Sequence, residues 1–381
     1  MFRRAPSQSL KATALLLAMA CALPSLAAEK RLVILDDDLD GFAPAQVMAL
    51  QAPDVQVLGL TSVSGNAWAT EATAQARRML EITGHPEVPA VPGAIYPLVN
   101  TEAATERWEA LYGKLVWKGA WMKHWVEDNF QADPQYHGPE VVPDLKLGNP
   151  SVVKASSEPA ATFMIRMVHA HPGQVSIIAT GPLTNLALAQ RLDPQFATLA
   201  KELVYMGGSL EPRQARDSDA ARQFAREFVN TPRREFNIRF DPEAASIVMR
   251  APWKKIVMVP VDPSTATEVT PELLARMRAA DTPIAKALAT RATGFPLWDE
   301  LAVAVWLDPS LMTEADDLLV DTNIEHGPGY GDILSWSAPY APGLGEQHET
   351  VVRQIDVPRF EALMSQLLTR PQPRAVGAPV P

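Results

Sequence analysis

The chain has 381 residues, of which 47% are hydrophobic and 20% are charged, and its formal net charge is −10. This composition is typical of a soluble globular protein. The acidic balance argues against nucleic-acid binding, which needs basic patches facing phosphate. The only cysteine is Cys21, so disulfides, thiolate metal ligands and cysteine nucleophiles are excluded from the rest of the chain.

The N-terminal segment has the pattern of a signal peptide. Arg3, Arg4 and Lys11 precede an apolar run at residues 12–23, and Ser25 and Ala27 form a small-x-small cleavage site. The apolar run is too short to span a bilayer. We therefore expect residues 1–27 to be removed and the mature protein to be periplasmic or secreted. No later segment has the length and apolar character of a membrane-spanning helix.

Short β-branched runs alternate with longer helical patterns along the chain. We predict strands at residues 32–35, 55–63, 174–179, 203–206 and 255–261, with helices at 68–83 and from residue 183. Apolar strands joined by helical crossovers predict an α/β fold with a mostly parallel central sheet and helices on both faces. We expect residues 28–369 to form a single domain of this kind.

Two further segments look like additions, and the C-terminus is rich in proline. Residues 101–150 include Trp117, Trp121 and Trp125, whose spacing would put them on one face of a helix. This face is either a packing surface or an aromatic lid that stacks on a planar base. We interpret residues 211–229 as a surface excursion and residues 370–381 as a disordered tail.

The strongest local signal is an acidic cluster directly after the first strand. Asp36, Asp37, Asp38 and Asp40 lie within five residues, at the end of a strand where α/β proteins bind their ligands. Alternation along an extended chain would direct Asp36, Asp38 and Asp40 to one side. Hard cations such as Ca²⁺ and Mg²⁺ prefer several oxygen ligands of this type. The cluster alone is compatible with an Asp-x-Asp phosphatase of the haloacid dehalogenase type, and with the nucleoside hydrolases.

Six further segments decide between these two families. They lie in the expected order between residues 32 and 368, and their sequences are GLTSVSGN at 59–66, VPAVPGA at 88–94, ATGPLTNLALA at 179–189, MGG at 206–208, REFNI at 234–238 with DPEAA at 241–245, and PLWDELA at 296–302. Each resembles a motif of the inosine-uridine preferring nucleoside hydrolase family. The resemblance implies hydrolysis of the N-glycosidic bond of a small ribonucleoside, and family members are commonly homo-oligomers.

The resemblance also implies roles for individual residues. The family binds one Ca²⁺ at the bottom of its pocket, where Asp38, Asp299 and the backbone carbonyl of Thr180 would be ligands. The ribose would be bound by Asn66, Glu235 and Asn237, and Phe236 belongs to the same block. Asp36 matches the first acid of the family's opening motif and would support the loop or the sugar, so we count it among the candidate catalytic residues. His137 lies in a segment that resembles a pocket loop and is a further candidate for contact with the substrate.

The chain departs from the family pattern at three positions. Two acids of the opening motif are replaced by Phe42 and Ala43, and the histidine that protonates the leaving base is replaced by Trp298. The Trp298 ring either stacks on the leaving base in place of that acid or packs in the core.

In the family, the two replaced acids are the catalytic base and a bidentate metal ligand. Asp40 lies only two residues from the position of the lost catalytic base, and we predict that it takes over that role. Alternatively, the chain binds a nucleoside or ribosyl compound without cleaving it, or serves as a scaffold for a partner. In the loop before Glu235, Asn230 is the nearest match to a family asparagine that contacts the substrate.

Overall fold

The structure is a computed structural model that describes residues 1–2, 30–127, 132–219, 221–222, 233–372 and 376–377. In this part of the chain, nine strands form one sheet in the order β3-β2-β1-β4-β5-β6-β9-β7-β8. Their bounds are β1 Arg31–Asp37, β2 Val55–Ser62, β3 Ala90–Val91, β4 Val175–Ala179, β5 Glu202–Met206, β6 Ile256–Val259, β7 Met312–Thr322, β8 Ile333–Trp336 and β9 Gln347–Ile355.

Helices follow most of the parallel strands. Their bounds are α1 Pro44–Gln51, α2 Ala69–Thr83, α3 Glu102–Tyr112, α4 Ala160–Ala170, α5 Thr184–Leu192, α6 Phe196–Leu199, α7 Phe236–Phe240, α8 Pro242–Met249, α9 Val261–Ser264, α10 Pro271–Arg278, α11 Pro283–Leu288, α12 Trp298–Leu307 and α13 Val357–Leu368. Helix α2 ends at Gly84, whose φ of 74° is readily adopted by glycine. The predicted helix at residues 68–83 is therefore confirmed within one residue.

The central strands are buried on both faces, as the prediction of a covered parallel sheet requires. In β1, Val33 and Leu35 pack in a cluster with residues of α1, α2, α12 and α13, whereas Ile34 packs on the opposite face with residues of α4, α5 and α8. Strands β1 to β6 pair in parallel, and β6 also pairs in parallel with β9. The predicted α/β fold with helices on both faces is confirmed.

The sheet ends in an antiparallel extension that the sequence pattern did not predict. Strand β7 pairs antiparallel with both β8 and β9. The first half of β7 is solvent-exposed and carries acidic residues, so it lacks the continuous apolar run by which the five predicted strands were recognised. Strands β3, β8 and β9 were not predicted either. Among the residues that the structure describes, no helix is both long and apolar enough to cross a membrane.

The prediction of one helix through Trp117, Trp121 and Trp125 is wrong. Helix α3 ends before Gly113, where φ is 114°. In the described stretch that follows, residues 113–127, the one helical element is a short 3₁₀ helix, Gly119–Trp121. The periodicity ignored these glycines, whose positive φ angles interrupt a right-handed helix. Trp121 stacks on Phe240 and is 5% exposed, so it is a packing residue.

The predicted surface excursion at residues 211–229 and the predicted tail at 370–381 are described only in part. The acidic and basic stretch at 211–219 and 221–222 is mostly exposed, in agreement with a surface excursion, while its remaining residues lie outside the described part. In the predicted tail, the backbone N–H of Val376 donates a hydrogen bond to the carbonyl oxygen of Glu81 at 2.9 Å. Val376 is therefore hydrogen-bonded to helix α2, and the disorder of the tail as a whole stays a prediction.

Candidate active site

A cavity of about 1580 Å³ opens at the carboxyl ends of the parallel strands. It exceeds the volume of roughly 300–1,000 Å³ that is usual for small-molecule sites, so a nucleoside would fit inside it. Ten of the predicted site residues line it, namely Asp38, Asp40, Asn66, His137, Thr180, Glu235, Phe236, Asn237, Trp298 and Asp299. Asn230 lies outside the described residues. The sheet thus brings together side chains that are up to 261 positions apart, as between Asp38 and Asp299.

Asp36 is the predicted catalytic residue that the structure does not place in the cavity wall. Its Oδ1 atom accepts hydrogen bonds from the Thr61 hydroxyl at 2.5 Å and from the Asn185 amide at 2.8 Å. Burial raises the pKa of Asp36 to about 7, against the effect of these two hydrogen bonds. The side chain lies within β1 and points to the face covered by α5, because strand side chains alternate between faces. This geometry suits a supporting role, not contact with a reacting atom.

Asp37 lines the cavity, although no role was predicted for it from the sequence. Its Oδ2 atom accepts a hydrogen bond from the Gln46 amide of α1 at 2.8 Å. Burial raises the pKa of Asp37 to about 6, while hydrogen bonds from Thr180 and Gln46 act in the opposite direction. The signal that could have identified it is the same alternation: Asp37, the last residue of β1, points away from Asp36.

Asp38 lies just beyond β1 and is held by Asn66. The Asn66 backbone N–H donates to Asp38 Oδ2 at 2.7 Å, and the Asn66 side-chain amide donates to Oδ1 at 3.3 Å. A Cβ atom at Gly65 would lie 2.0 Å from Asp38 Oδ2, so this loop approaches Asp38 as closely as only glycine allows. Burial, followed by the charge of Asp37, holds the pKa of Asp38 well above its usual range.

Asp299 enters the same cavity from the first turn of helix α12. Its pKa is well above the usual range because of burial first, and then because of the charges of Asp37, Glu300 and Asp38. Asp37, Asp38 and Asp299 therefore disfavour one another's ionisation. Such mutual repulsion is relieved when a cation binds between carboxylates.

The donors at this end of the cavity have the chemistry of a site for a hard cation. Three carboxylates and the Thr180 carbonyl oxygen are oxygen donors, which Ca²⁺ prefers. Within the described ranges, however, no three His, Cys, Asp or Glu side chains are grouped closely enough to hold an ion. Thr180 is also engaged, since its carbonyl accepts a hydrogen bond from the Asn237 amide at 3.1 Å. The donor types fit a divalent cation, and the arrangement is open.

Glu235 and Asn237 lie at the start of helix α7. The Glu235 carboxylate caps this helix by accepting hydrogen bonds from the backbone N–H groups of Asn237 and Ile238, and it also accepts one from Gly208. Burial raises the pKa of Glu235 to about 7, although these N–H groups lower it. Because each carboxylate oxygen has two lone pairs, Glu235 retains the capacity to accept further hydrogen bonds from a bound diol.

Aromatic and apolar side chains form much of the remaining wall. Trp117 and Trp125 stack with ring centroids 5.2 Å apart, and Trp117 also contacts Phe236 at 6.3 Å. Phe42 and Trp298 line the cavity and pack partly against the core cluster around α1 and α12. The two positions of the opening motif that lack acids, 42 and 43, therefore contribute apolar surface to the cavity.

His137 and Asp40 lie in the wall in different settings. The ring nitrogens of His137 lie 3.0 Å from Glu71 Oε2 and 2.9 Å from the Gly138 carbonyl oxygen, so both already have acceptor partners. Asp40 is exposed and lies near the positive charges of Arg291 and Lys146. Of the two, only Asp40 offers an accessible group to a ligand, and its catalytic role stays a prediction.

Comparisons with known proteins identify the family to which this chain is similar. A family model described as inosine-uridine preferring nucleoside hydrolase matches residues 33–362. An uncharacterized protein of Schizosaccharomyces pombe is 30% identical over 383 residues, covering 94% of this chain and 90% of its own. The pyrimidine-specific ribonucleoside hydrolase RihB of Escherichia coli is 27% identical over 320 residues, covering 80% and 86%. Uridine nucleosidase 1 of Arabidopsis thaliana is 36% identical over 220 residues, covering 58% and 53%.

The solved structures show the same fold. A plant nucleoside hydrolase, the PpNRh1 enzyme, superposes with a TM-score of 0.66 at 23% identity, covering 90% of this chain and 99% of its own. An inosine-guanosine nucleoside hydrolase superposes with a TM-score of 0.66 at 20% identity, covering 89% and 98%. Because the family match extends over nearly the whole described sheet, the phosphatase interpretation is set aside. The chain belongs to the inosine-uridine preferring nucleoside hydrolase family.

Proposed function

We propose that this protein hydrolyses the N-glycosidic bond of ribonucleosides and releases ribose and the free base. The observation that carries the proposal is that Asp37, Asp38 and Asp299 line one cavity large enough for a nucleoside, with Glu235 and Asn237 also in its wall. Beyond the effect of burial, the charges of Asp37 and Asp38 raise the pKa of Asp299. The names of the relatives support the same reaction, since they include ribonucleoside hydrolases and uridine nucleosidases.

The reaction needs negative charge near C1′ of the ribose. The C1′–N bond breaks, its electron pair leaves with the base nitrogen, and the oxygen of a water molecule bonds to C1′. The transition state resembles an oxocarbenium ion, which nearby carboxylates stabilise. Asp40, predicted above for this role, would accept the proton of the attacking water, and Asp38, which accepts a hydrogen bond from Asn66, is a second candidate for it. Glu235 and Asn237 would bind the ribose hydroxyls.

The departing base would lie against aromatic surface. Trp298 and Phe236 line the cavity, and aromatic rings stack favourably on planar bases. In the described part of the wall, His137 is the one histidine, and both of its ring nitrogens are engaged. The base is therefore expected to be stabilised by stacking, and to take its proton from solvent.

The proposal includes a bound Ca²⁺, whose ligands would be Asp38, Asp299 and the Thr180 carbonyl. When bound, the ion would hold the ribose diol and lower the pKa of a water molecule. The mutual repulsion of the cavity carboxylates supports this assignment. These donors are of the type that Ca²⁺ prefers. Phe42 and Ala43 provide no carboxylate, but Asp37 is a further carboxylate in the same cavity.

The test is ribose release by the purified mature protein from a panel of purine and pyrimidine ribonucleosides, with Ca²⁺ and after chelation. Chelation is expected to lower the rate at least about a hundredfold, and re-added Ca²⁺ to restore it. Ca²⁺ at about 100 times its dissociation constant should also raise the free energy of unfolding by about 2.7 kcal/mol, measured by thermal unfolding. An unchanged rate after chelation would remove the metal from the proposal and leave the hydrolase.

A nucleoside-binding protein without catalysis is the alternative function. The apolar surface at Phe42 and Ala43 favours it, because an enzyme of this kind depends on its carboxylates. Calorimetry with the same nucleosides separates the two. Tight binding without ribose release from any member of the panel would establish the binding protein and contradict the hydrolase.

We also propose that the protein is exported. The basic residues, apolar run and cleavage site in residues 1–27 support this, and they lie almost entirely outside the described part of the structure. Expression of the full chain in a Gram-negative host should yield a periplasmic protein whose first residue is Ala28, measured by intact mass. A cytoplasmic protein that retains residues 1–27 would contradict export.

A further inference from the structure

The segment at residues 117–121 of the Trp-rich insertion lies directly on the loop that follows β2. The backbone N–H of Ala120 donates to the Gly65 carbonyl oxygen at 2.8 Å. Gly119 has a φ of 55°, and a Cβ atom there would lie 2.1 Å from that same oxygen. The contact therefore requires glycine at position 119, and the insertion is part of the site's framework.

A side-chain contact accompanies this backbone contact. The indole N–H of Trp117 donates to Asn66 Oδ1 at 2.7 Å. Asn66 in turn donates to both oxygens of Asp38, from its backbone at 2.7 Å and from its side-chain amide at 3.3 Å. An asparagine amide has one acceptor end and one donor end. With the acceptor end bound by the indole, the donor end must face Asp38.

Trp117 is itself held by its aromatic neighbours. Its ring stacks on Trp125 at 5.2 Å with an interplanar angle of 25°, and it contacts Phe236 at 6.3 Å. The indole N–H is therefore presented to Asn66 from a restrained position. Trp121, four residues on, provides the contrast, because it stacks on Phe240 in the core and does not line the cavity.

We infer that Trp117 is a positioning residue: it fixes the orientation of the Asn66 amide and through it the Asp38 carboxylate, so the Trp-rich insertion helps to build the active site. The inference rests on the proposed hydrolase function. The sequence predicted either a packing surface or an aromatic lid for these tryptophans. A positioning role for Trp117 differs from both, because it acts on the Asp38 carboxylate through Asn66. A lost neutral hydrogen bond is worth about 1 kcal/mol, or roughly a fivefold to tenfold effect on an equilibrium.

The test is a double-mutant cycle on the mature protein with Trp117→Phe and Asn66→Ala, read by kcat and KM for the nucleoside that the wild type hydrolyses fastest. Trp117→Phe keeps an aromatic ring and removes the N–H, so kcat should fall roughly fivefold to tenfold while KM changes little. In the Asn66→Ala background, Trp117→Phe should have no further effect, because its partner is already gone. Additive losses, or an unchanged kcat in the single variant, would overturn the inference.

Trp253→Phe is the matched control. Trp253 also donates its indole N–H, to the Val248 carbonyl oxygen at 2.9 Å. It precedes β6, however, and so lies near the amino-terminal ends of the parallel strands, whereas the cavity is at their carboxyl ends. Its substitution should leave kcat unchanged. A second readout does not need catalysis: in ¹⁵N-tryptophan-labelled protein, Asn66→Ala should shift the indole N–H resonance that Trp117→Phe abolishes. If that resonance stays in place, the contact is absent. A wild type that releases no ribose would instead contradict the proposed function.

Discussion

Replacing Asp38 with asparagine is expected to lower the rate of ribose release about a thousandfold, the size of effect typical of a lost proton acceptor or transition-state charge. Asp38 is 1% exposed and its carboxylate accepts two hydrogen bonds from Asn66. Asparagine has nearly the same volume, but its amide N–H group would face the donating amide of Asn66. The variant thus loses the negative charge near C1′ and part of its orientation. The measurement is kcat at saturating substrate, with circular dichroism to establish that the fold is retained.

Two further substitutions make this result specific. Asp54→Asn is the control, because Asp54 is exposed at the amino-terminal end of the sheet and pairs with Arg31, so kcat should not change. Asp40→Asn distinguishes the two candidate proton acceptors in the cavity. If Asp40→Asn abolished ribose release while Asp38→Asn kept more than a tenth of the wild-type kcat, the proton acceptor would be Asp40 and Asp38 would not have that role.

The largest loss of stability is expected from the substitution Glu81→Gln. Glu81 is a buried residue of α2 whose carboxylate binds the backbone just after the Trp-rich insertion. Glu81 is not exposed, and its Oε1 atom accepts hydrogen bonds from the backbone N–H groups of Ser151, Val152 and Val153. Its Oε2 atom accepts one from Arg78, which is 1% exposed. Glu81→Gln removes the negative charge that faces the buried Arg78 guanidinium. The free energy of unfolding should fall by about 3–5 kcal/mol, measured by chemical denaturation.

Glu158→Gln tests the same substitution in a solvated ion pair. Glu158 pairs with Arg166 at 2.6 Å, but the Arg166 side chain is 54% exposed, so the loss should be about 1 kcal/mol or less. Equal losses for Glu81→Gln and Glu158→Gln would show that burial does not set the cost, contrary to the prediction.

The effect at Glu81 should also depend on pH. Burial raises the pKa of Glu81, but three backbone N–H groups and Arg78 outweigh it and hold that pKa below the usual value of 4.5. A depressed pKa in the folded state contributes stability above the pKa of the unfolded chain, and this contribution is lost as the pH falls through the folded pKa. The stability difference between wild type and Glu81→Gln should therefore be constant near neutrality and shrink below about pH 4.5. A difference that grows on acidification would contradict this assignment.

The acidic cluster was predicted from the sequence, but which of its acids line the cavity was predicted only in part. Alternation predicted that Asp36, Asp38 and Asp40 would share one side, whereas the cavity is lined by Asp37, Asp38 and Asp40. Strand β1 ends at Asp37, and beyond it the chain no longer alternates. Asp36 is engaged by Asn185, 149 positions away, and Asp37 by Gln46 on α1. Contacts of this kind depend on how helices pack on the sheet, which local pattern does not encode.

What the sequence determined by itself was the parallel sheet, the edge at which the site lies and the family. Buried strands are recognised by continuous apolar runs, and the polar residues that follow them must meet at one edge because the strands are parallel. Only the tertiary structure decided that Trp117 reaches Asn66 while Trp121 enters the core. Helical spacing grouped these tryptophans on one face, but glycines at 113 and 119 interrupt the helix. Gly119 and Ala120 also contact Gly65, in the loop after β2, and a contact between segments so far apart in the chain depends on the tertiary structure.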